Sequence, residues 1–136
     1  MYNSQMRFLG IDFGLKRVGI ALSDESGTLA FPHSVLPNNQ NLVAEVVQIA
    51  KEQKVKAIVL GESKDLSGKA NPLQKDIEAF KKAVMKETKK PVHFELEFWS
   101  SFQAARYQGK TDKLDASAAA IILQSYLDRI SVKKGV

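Results

Sequence analysis

The sequence predicts an α/β domain built on a mixed five-stranded sheet, three antiparallel strands followed by parallel ones, with helices on both faces. Three observations predict it. Two short apolar runs, Phe8-Leu9-Gly10-Ile11 and Val18 to Leu22, flank a glycine-containing loop and read as a β-hairpin. Ala57-Ile58-Val59-Leu60 is a short apolar run without alternation, the mark of a strand buried on both faces. Around these runs lie segments with apolar residues at helical spacing. Strands therefore come first as a group and then alternate with helices.

At 136 residues the chain is long enough to bury a core as one domain, expected over residues 6–130 with flexible ends at 1–5 and 131–136. The absence of cysteine excludes disulfides, thiolate metal sites and cysteine nucleophiles. A formal net charge of +5 suits a polyanionic partner. The N-terminus lacks a basic-then-apolar leader and no run approaches a membrane span, so the expected location is the cytoplasm.

Taken in order, the first strand starts near Met6-Arg7 and closes on Asp12, and the second ends on Ser23 and Asp24. Gly27-Thr28 turns the chain into a third antiparallel strand, Leu29 to Val35, which Pro32 confines to an edge or a bulge. Pro37 to Asn41 is a polar loop. A helix follows, with Leu42, Val43, Val46, Ile49 and Ala50 on one stripe. The buried strand from Ala57 ends on Gly61-Glu62. After the polar loop Ser63 to Asn71, Asn71 as N-cap and Pro72 at the first helical position start a helix whose inner stripe is Leu73, Ile77, Phe80, Val84 and Met85. Lys86 to Lys90 suits its C-terminal dipole and Pro91 stops it.

Val92 to Phe98 alternates as a strand, with His93, Glu95 and Glu97 on the polar side. Ser100 to Gln103 has the form of a capping box for a helix to about Gln108, broken at Gly109. The last helix opens near Asp112 and packs through Ala116, Ala119, Ala120, Leu123, Leu127 and Ile130.

The chemistry centres on Asp12. A carboxylate closing a central apolar strand stands at the edge of the sheet, where it can hold a divalent cation, while Gly10 and Gly14 leave room for a phosphate. Lys16 and Arg17 in the adjoining loop suit an anion. A plain hairpin whose aspartate only caps a turn is the bland alternative. The Asp-x-Gly hairpin is shared by ribonuclease H-like nucleases and by actin-like and sugar kinases. The kinases close two such domains on a nucleotide, so the length of this chain favours the nucleases.

The stretches LGIDFGLKRVGIALSD from Leu9, Gly61 through Lys64 to Gly68, and DASAAAIILQSYLD from Asp115 to Asp128 resemble the YqgF (RuvX) family over Met6 to about Arg129. These are Holliday-junction-resolvase-like proteins of the ribonuclease H superfold, to which pre-16S ribosomal RNA cleavage is ascribed. The resemblance implies a metal-dependent phosphodiesterase with acids from the first strand, a later strand and the last helix. Asp12 matches the first and Asp115 the last. The middle acid departs from pattern: the family usually shows Asp-Glu-Arg then Leu-Thr-Thr, where this chain has Leu96-Glu97-Phe98 then Trp99-Ser100-Ser101. Glu97 keeps the carboxylate. Glu62 is the alternative middle ligand, because in other nucleases of the superfold an acid ends that strand.

Phosphodiester hydrolysis needs an activated water and charge neutralisation at the leaving oxygen, which two divalent ions about 4 Å apart supply. Hard oxygen ligands select Mg2+ or Mn2+. Asp12 would bridge, with Glu97 and Asp115 completing the set and Asp112, the plainer N-cap, within reach. Lys16, Arg17, Lys64, Lys69 and Lys110 are the candidate phosphate contacts. His93 is expected to be solvated, and Trp99 to pack beneath the helix. The expected substrate is pre-ribosomal RNA, for a monomer or homodimer, with branched DNA as the alternative. A catalytically degenerate nucleic-acid-binding module on the same fold is the reading from a different class.

Overall fold

The computed structural model describes residues 7–63, 74–97 and 112–133. Eight elements follow in the order β1 (Phe8–Phe13), β2 (Arg17–Ser23), β3 (Ala30–Pro37), α1 (Leu42–Glu52), β4 (Ala57–Ser63), α2 (Gln74–Thr88), β5 (Val92–Glu97) and α3 (Asp112–Lys133). The strands form one sheet in the order β3-β2-β1-β4-β5. β1 pairs antiparallel with β2 and parallel with β4, so the strand that carries Asp12 is central. The expected strand and helix order is present. The expected N-cap at Asn71 and the helix from Ser100 lie outside the described residues.

Alternation along β1 splits the core in two. Leu9, Ile11 and Phe13 join Val18, Ile20, Leu22, Ile58 and Leu60 beneath α1 and α2, through Val46, Ile77, Phe80 and Val84. Phe8 joins Ala21, Ala57 and Val59 beneath α3, through Ala119, Ile122, Leu123 and Leu127. Both faces of the sheet are thus covered, which accounts for the uninterrupted apolar run in β4. The α3 stripe is wider than expected, taking in Ala118 and Ile122. The backbone of α3 stays helical to Lys133, past Ile130. Met85 departs from expectation: it is 40% exposed, turned off the inner stripe that Ile77, Phe80 and Val84 occupy.

Pro32 meets both conditions set for it. β3 is an edge strand, and its register slips between Ile20 and Ala21, which pair with Ser34 and Pro32 and leave His33 bulged. The turn before β3 is organised by Asp24, whose Oδ1 accepts from the backbone N–H groups of Thr28 at 2.9 Å and Leu29 at 3.2 Å. Its Oδ2 accepts from Ser26 Oγ at 2.9 Å and Thr28 Oγ1 at 3.1 Å. The Thr28 N–H contributes most to holding the Asp24 carboxyl at about 2, below its ordinary 3.8.

Because the folded pKa is depressed, the stabilisation is complete above pH 4 and fades as pH falls towards 2. Asp24→Asn should lower Tm by about 2–4 °C at neutral pH, with the difference closing near pH 2. Thermal denaturation as a function of pH reads this directly; a constant offset across the range would count against it.

Candidate active site at the end of the central strand

Asp12 is the penultimate residue of β1, half-buried, and its strand partner is Gly19. Gly10, Asp12, Gly19 and Ala21 alternate onto the α3 face, opposite Leu9, Ile11, Val18 and Ile20. Glycines flank the acid for a steric reason at two places. A Cβ on Gly10 would lie 2.7 Å from Leu123 Cβ and 3.1 Å from the Ala119 carbonyl oxygen, so α3 rests directly on the backbone there. A Cβ on Gly14 would lie 2.5 Å from the Arg17 carbonyl oxygen, which the tight β1–β2 loop brings across.

That loop is pinned from the far side of the sheet. Asn38 Nδ2 donates to the Gly14 carbonyl at 2.7 Å, and the Asn38 N–H donates to the Lys16 carbonyl at 2.9 Å. Asn38 follows β3, whose last residue Pro37 pairs with Arg17. Lys16 is exposed and Arg17 half-buried at the start of β2, so both expected phosphate contacts sit on the same hairpin as Asp12. Leu15 between them and Gly14 is 73% exposed.

Glu97 is the last residue of β5 and pairs with Ser63, while Glu62 pairs with Leu96. Asp112 opens α3 and Asp115 lies in its first turn. The side chains of Glu62, Glu97, Asp112 and Asp115 fall outside the described residues, as do Lys64, Lys69 and Lys110. Among the described residues no three His, Cys, Asp or Glu side chains converge on a point that would hold a metal.

One charged group was misassigned from the sequence. Glu95 was expected on a solvated strand face, yet it is only 8% exposed. Arg129 of α3 donates through Nη2 to Glu95 Oε1. His93 on the same strand face is exposed, as expected, but stacks on Tyr126 of α3 with ring centroids 5.6 Å apart. Burial raises the Tyr126 phenol above its ordinary 10, an effect that Arg129 opposes and Glu95 reinforces. Periodicity shows that these positions share a face but not that residues more than thirty positions later, Tyr126 and Arg129, cover it. Asn38 gave no signal either.

The arrangement has solved counterparts. RuvC of T. thermophilus, in complex with a Holliday junction substrate, superposes with a TM-score of 0.62 at 15% identity, covering 93% of this chain and 97% of that one. The fowlpox virus Holliday junction resolvase gives 0.58 at 17% identity, covering 91% and 99%. The fold is therefore the ribonuclease H-like α/β fold of the resolvases.

The sequence narrows this further. A protein of Nitratidesulfovibrio vulgaris (strain DSM 19637 / Miyazaki F) named "Putative pre-16S rRNA nuclease" is 33% identical over 133 residues, 90% of this chain and 94% of its own length. One of the same name from Syntrophomonas wolfei subsp. wolfei is 34% identical over 139 residues, 95% of this chain and 99% of its own. The chain belongs to the RuvX family: the family model, described as Holliday junction resolvase, matches residues 6–129. It is a nuclease, a hydrolase of phosphodiester bonds. Nucleases of this class generally work with divalent metal, and a half-exposed carboxylate at a strand end, in a chain without thiolates, is a hard oxygen donor that fits such an ion.

Proposed function

We propose that the chain matures the 5′ end of pre-16S ribosomal RNA in the cytoplasm, as a nuclease whose metal ligands are Asp12, Glu97 and Asp115. The names of its full-length relatives support the substrate. The observation that carries the ligand set is the seating of α3 on β1. Ala119 and Leu123 lie against Gly10, and the Phe8 and Tyr126 rings sit 5.9 Å apart, so the helix runs antiparallel to the strand. From Gly10 to Asp12 the strand advances about 6.6 Å. From Ala119 back to Asp115, on the same helix stripe, the axis advances about 6 Å. Measured from the middle of the Ala119–Leu123 contact the advance is about 9 Å, which supports Asp115 as the helix position nearer to Asp12 and leaves Asp112 most of a turn further on.

Strand alternation supports Glu97 over Glu62. Position 97 shares its face with His93 and Glu95, which meet α3. Position 62 shares its face with Ile58 and Leu60, beneath α1 and α2. Two Mg2+ or Mn2+ ions held by these acids would supply charge neutralisation at the leaving oxygen and an activated water. The chain's own part is to fix the acids on rigid elements and to present Lys16 and Arg17 to the flanking phosphates, with Lys64, Lys69 and Lys110 as further contacts.

Glu97→Gln should slow cleavage of a labelled pre-16S 5′ fragment by about 10²–10³-fold, while Glu62→Gln stays within about threefold. The opposite ranking would move the middle ligand to β4. Branched DNA is the second reading, favoured by the resolvase fold, and would call for a homodimer with paired sites. Cleavage of a four-way junction in preference to the RNA fragment would select it.

A further inference from the structure

The N-terminal edge of the sheet, opposite the end that carries Asp12, holds a second basic feature. A cavity of about 470 Å³ opens between the C-termini of α1 and α2, lined by Ala50, Lys51, Lys54, Val55, Lys56, Thr88 and Lys90. Among the described residues that line it, four are lysines and none is acidic. Glu52 nearby is engaged by Gln48, whose Nε2 donates to it at 2.8 Å.

Lys54 in the lining, and Lys89, which precedes the lining residue Lys90, stand where the backbone asks for glycine. α1 ends with the Val55 N–H donating to the Ala50 carbonyl at 3.2 Å, and Lys54 takes the left-handed position at φ 52°. α2 ends on a left-handed lysine as well, with a different bond: the Lys89 N–H itself donates to the Met85 carbonyl at 2.8 Å, and Lys89 has φ 58°. Glycine would fill both positions without the steric penalty that a side chain meets there. The helix dipoles account for a positive charge at Lys51. They favour a cation at Lys89 and Lys90 too, but they do not require a lysine to take the left-handed backbone at positions 54 and 89. Lys56, at the mouth of β4, sets its ammonium over the Phe8 ring, 5.8 Å from the centroid.

We propose that this cavity is a second nucleic-acid contact, binding backbone phosphates of the RNA at a distance from the cut. The inference rests on the nuclease acting on RNA. Lys56 bonds to the Arg7 carbonyl, five residues before Asp12 along β1, which sets the two ends about 17 Å apart. A short oligonucleotide at Asp12 does not reach the cavity; a folded precursor with a second arm does. Lysine ammonium groups suit this role because they neutralise phosphate without reading sequence. The site would therefore select for substrate size and architecture.

The test uses the full chain and two variants. Lys54→Gly with Lys89→Gly removes two charges while relieving the backbone, so it should fold at least as stably as the parent. Lys51→Gln with Lys56→Gln and Lys90→Gln removes the others. Combined, they should raise KM for a long structured precursor by about tenfold and reduce the slope of log affinity against log salt by two or more. kcat on a short single-stranded fragment should not change. Acetylation footprinting of the Asp12→Asn protein should show Lys51, Lys54, Lys56 and Lys90 shielded when the precursor is bound. Unchanged KM and slope with the parent still cutting RNA, or shielding by branched DNA only, overturns the second contact. A parent that neither binds nor cuts RNA overturns the substrate reading itself, and the contact with it.

Discussion

Asp12→Asn is expected to abolish cleavage, by about three orders of magnitude or more, and to leave the fold intact. The amide keeps the shape of the carboxylate, so the packing of a half-buried strand end is retained. What it loses is the negative charge, and hard divalent ions depend on charged oxygen donors. The electrostatic contribution of such a site to the barrier amounts to several kcal/mol, hence the size of the effect. Thermal melts with and without Mn2+ separate the two roles: the parent should gain stability from the ion and the variant should not. Equal stabilisation of both proteins would move the metal away from Asp12.

Gly10→Ala should be the most damaging small substitution in the sheet. The added methyl would lie 2.7 Å from Leu123 Cβ and 3.1 Å from the Ala119 carbonyl oxygen. Neither is the end of a flexible side chain, so the helix itself must move. Overpacking of this kind costs about 1–3 kcal/mol, lowering Tm by about 5–10 °C for a domain of this size. The displaced helix also carries Asp115. A misplacement of about 1 Å between reacting groups costs around a hundredfold in rate, so activity should fall well beyond what the unfolded fraction explains. Cleavage measured at a temperature where both proteins are folded distinguishes these contributions. Full activity there would mean that α3 does not position the site.

The elements legible in the sequence were those whose neighbours are local or whose burial is uniform. Ala57 to Leu60 declared itself because both of its faces are covered, and Pro32 because it cannot donate to a ladder. Asp12 was legible because a carboxylate ending a central apolar run has few structural reasons to be there. Glu95 was not: its partner Arg129 lies 34 positions on, and alternation alone cannot say which face a distant helix will roof. The extra burial of Ala118 and Ile122 escaped for a related reason. A helix lying across several strands buries a stripe wider than periodicity alone marks out. The lysines at the two helix ends follow the dipole rule in the sequence, and that rule is silent on the left-handed backbone that Lys54 and Lys89 adopt.

The position of α3 in the chain has a consequence for timing. It follows every described strand, and among the described elements it alone covers Phe8, Ala21, Ala57 and Val59. At ribosomal elongation rates of about 5–20 residues per second, the nascent chain spends seconds with one sheet face bare. With the proposed site it spends those seconds with Asp12 in place and its helical counterpart still to emerge. On the proposed site, the order of elements separates synthesis from action: cleavage waits until the ribosome has released the helix that carries Asp115.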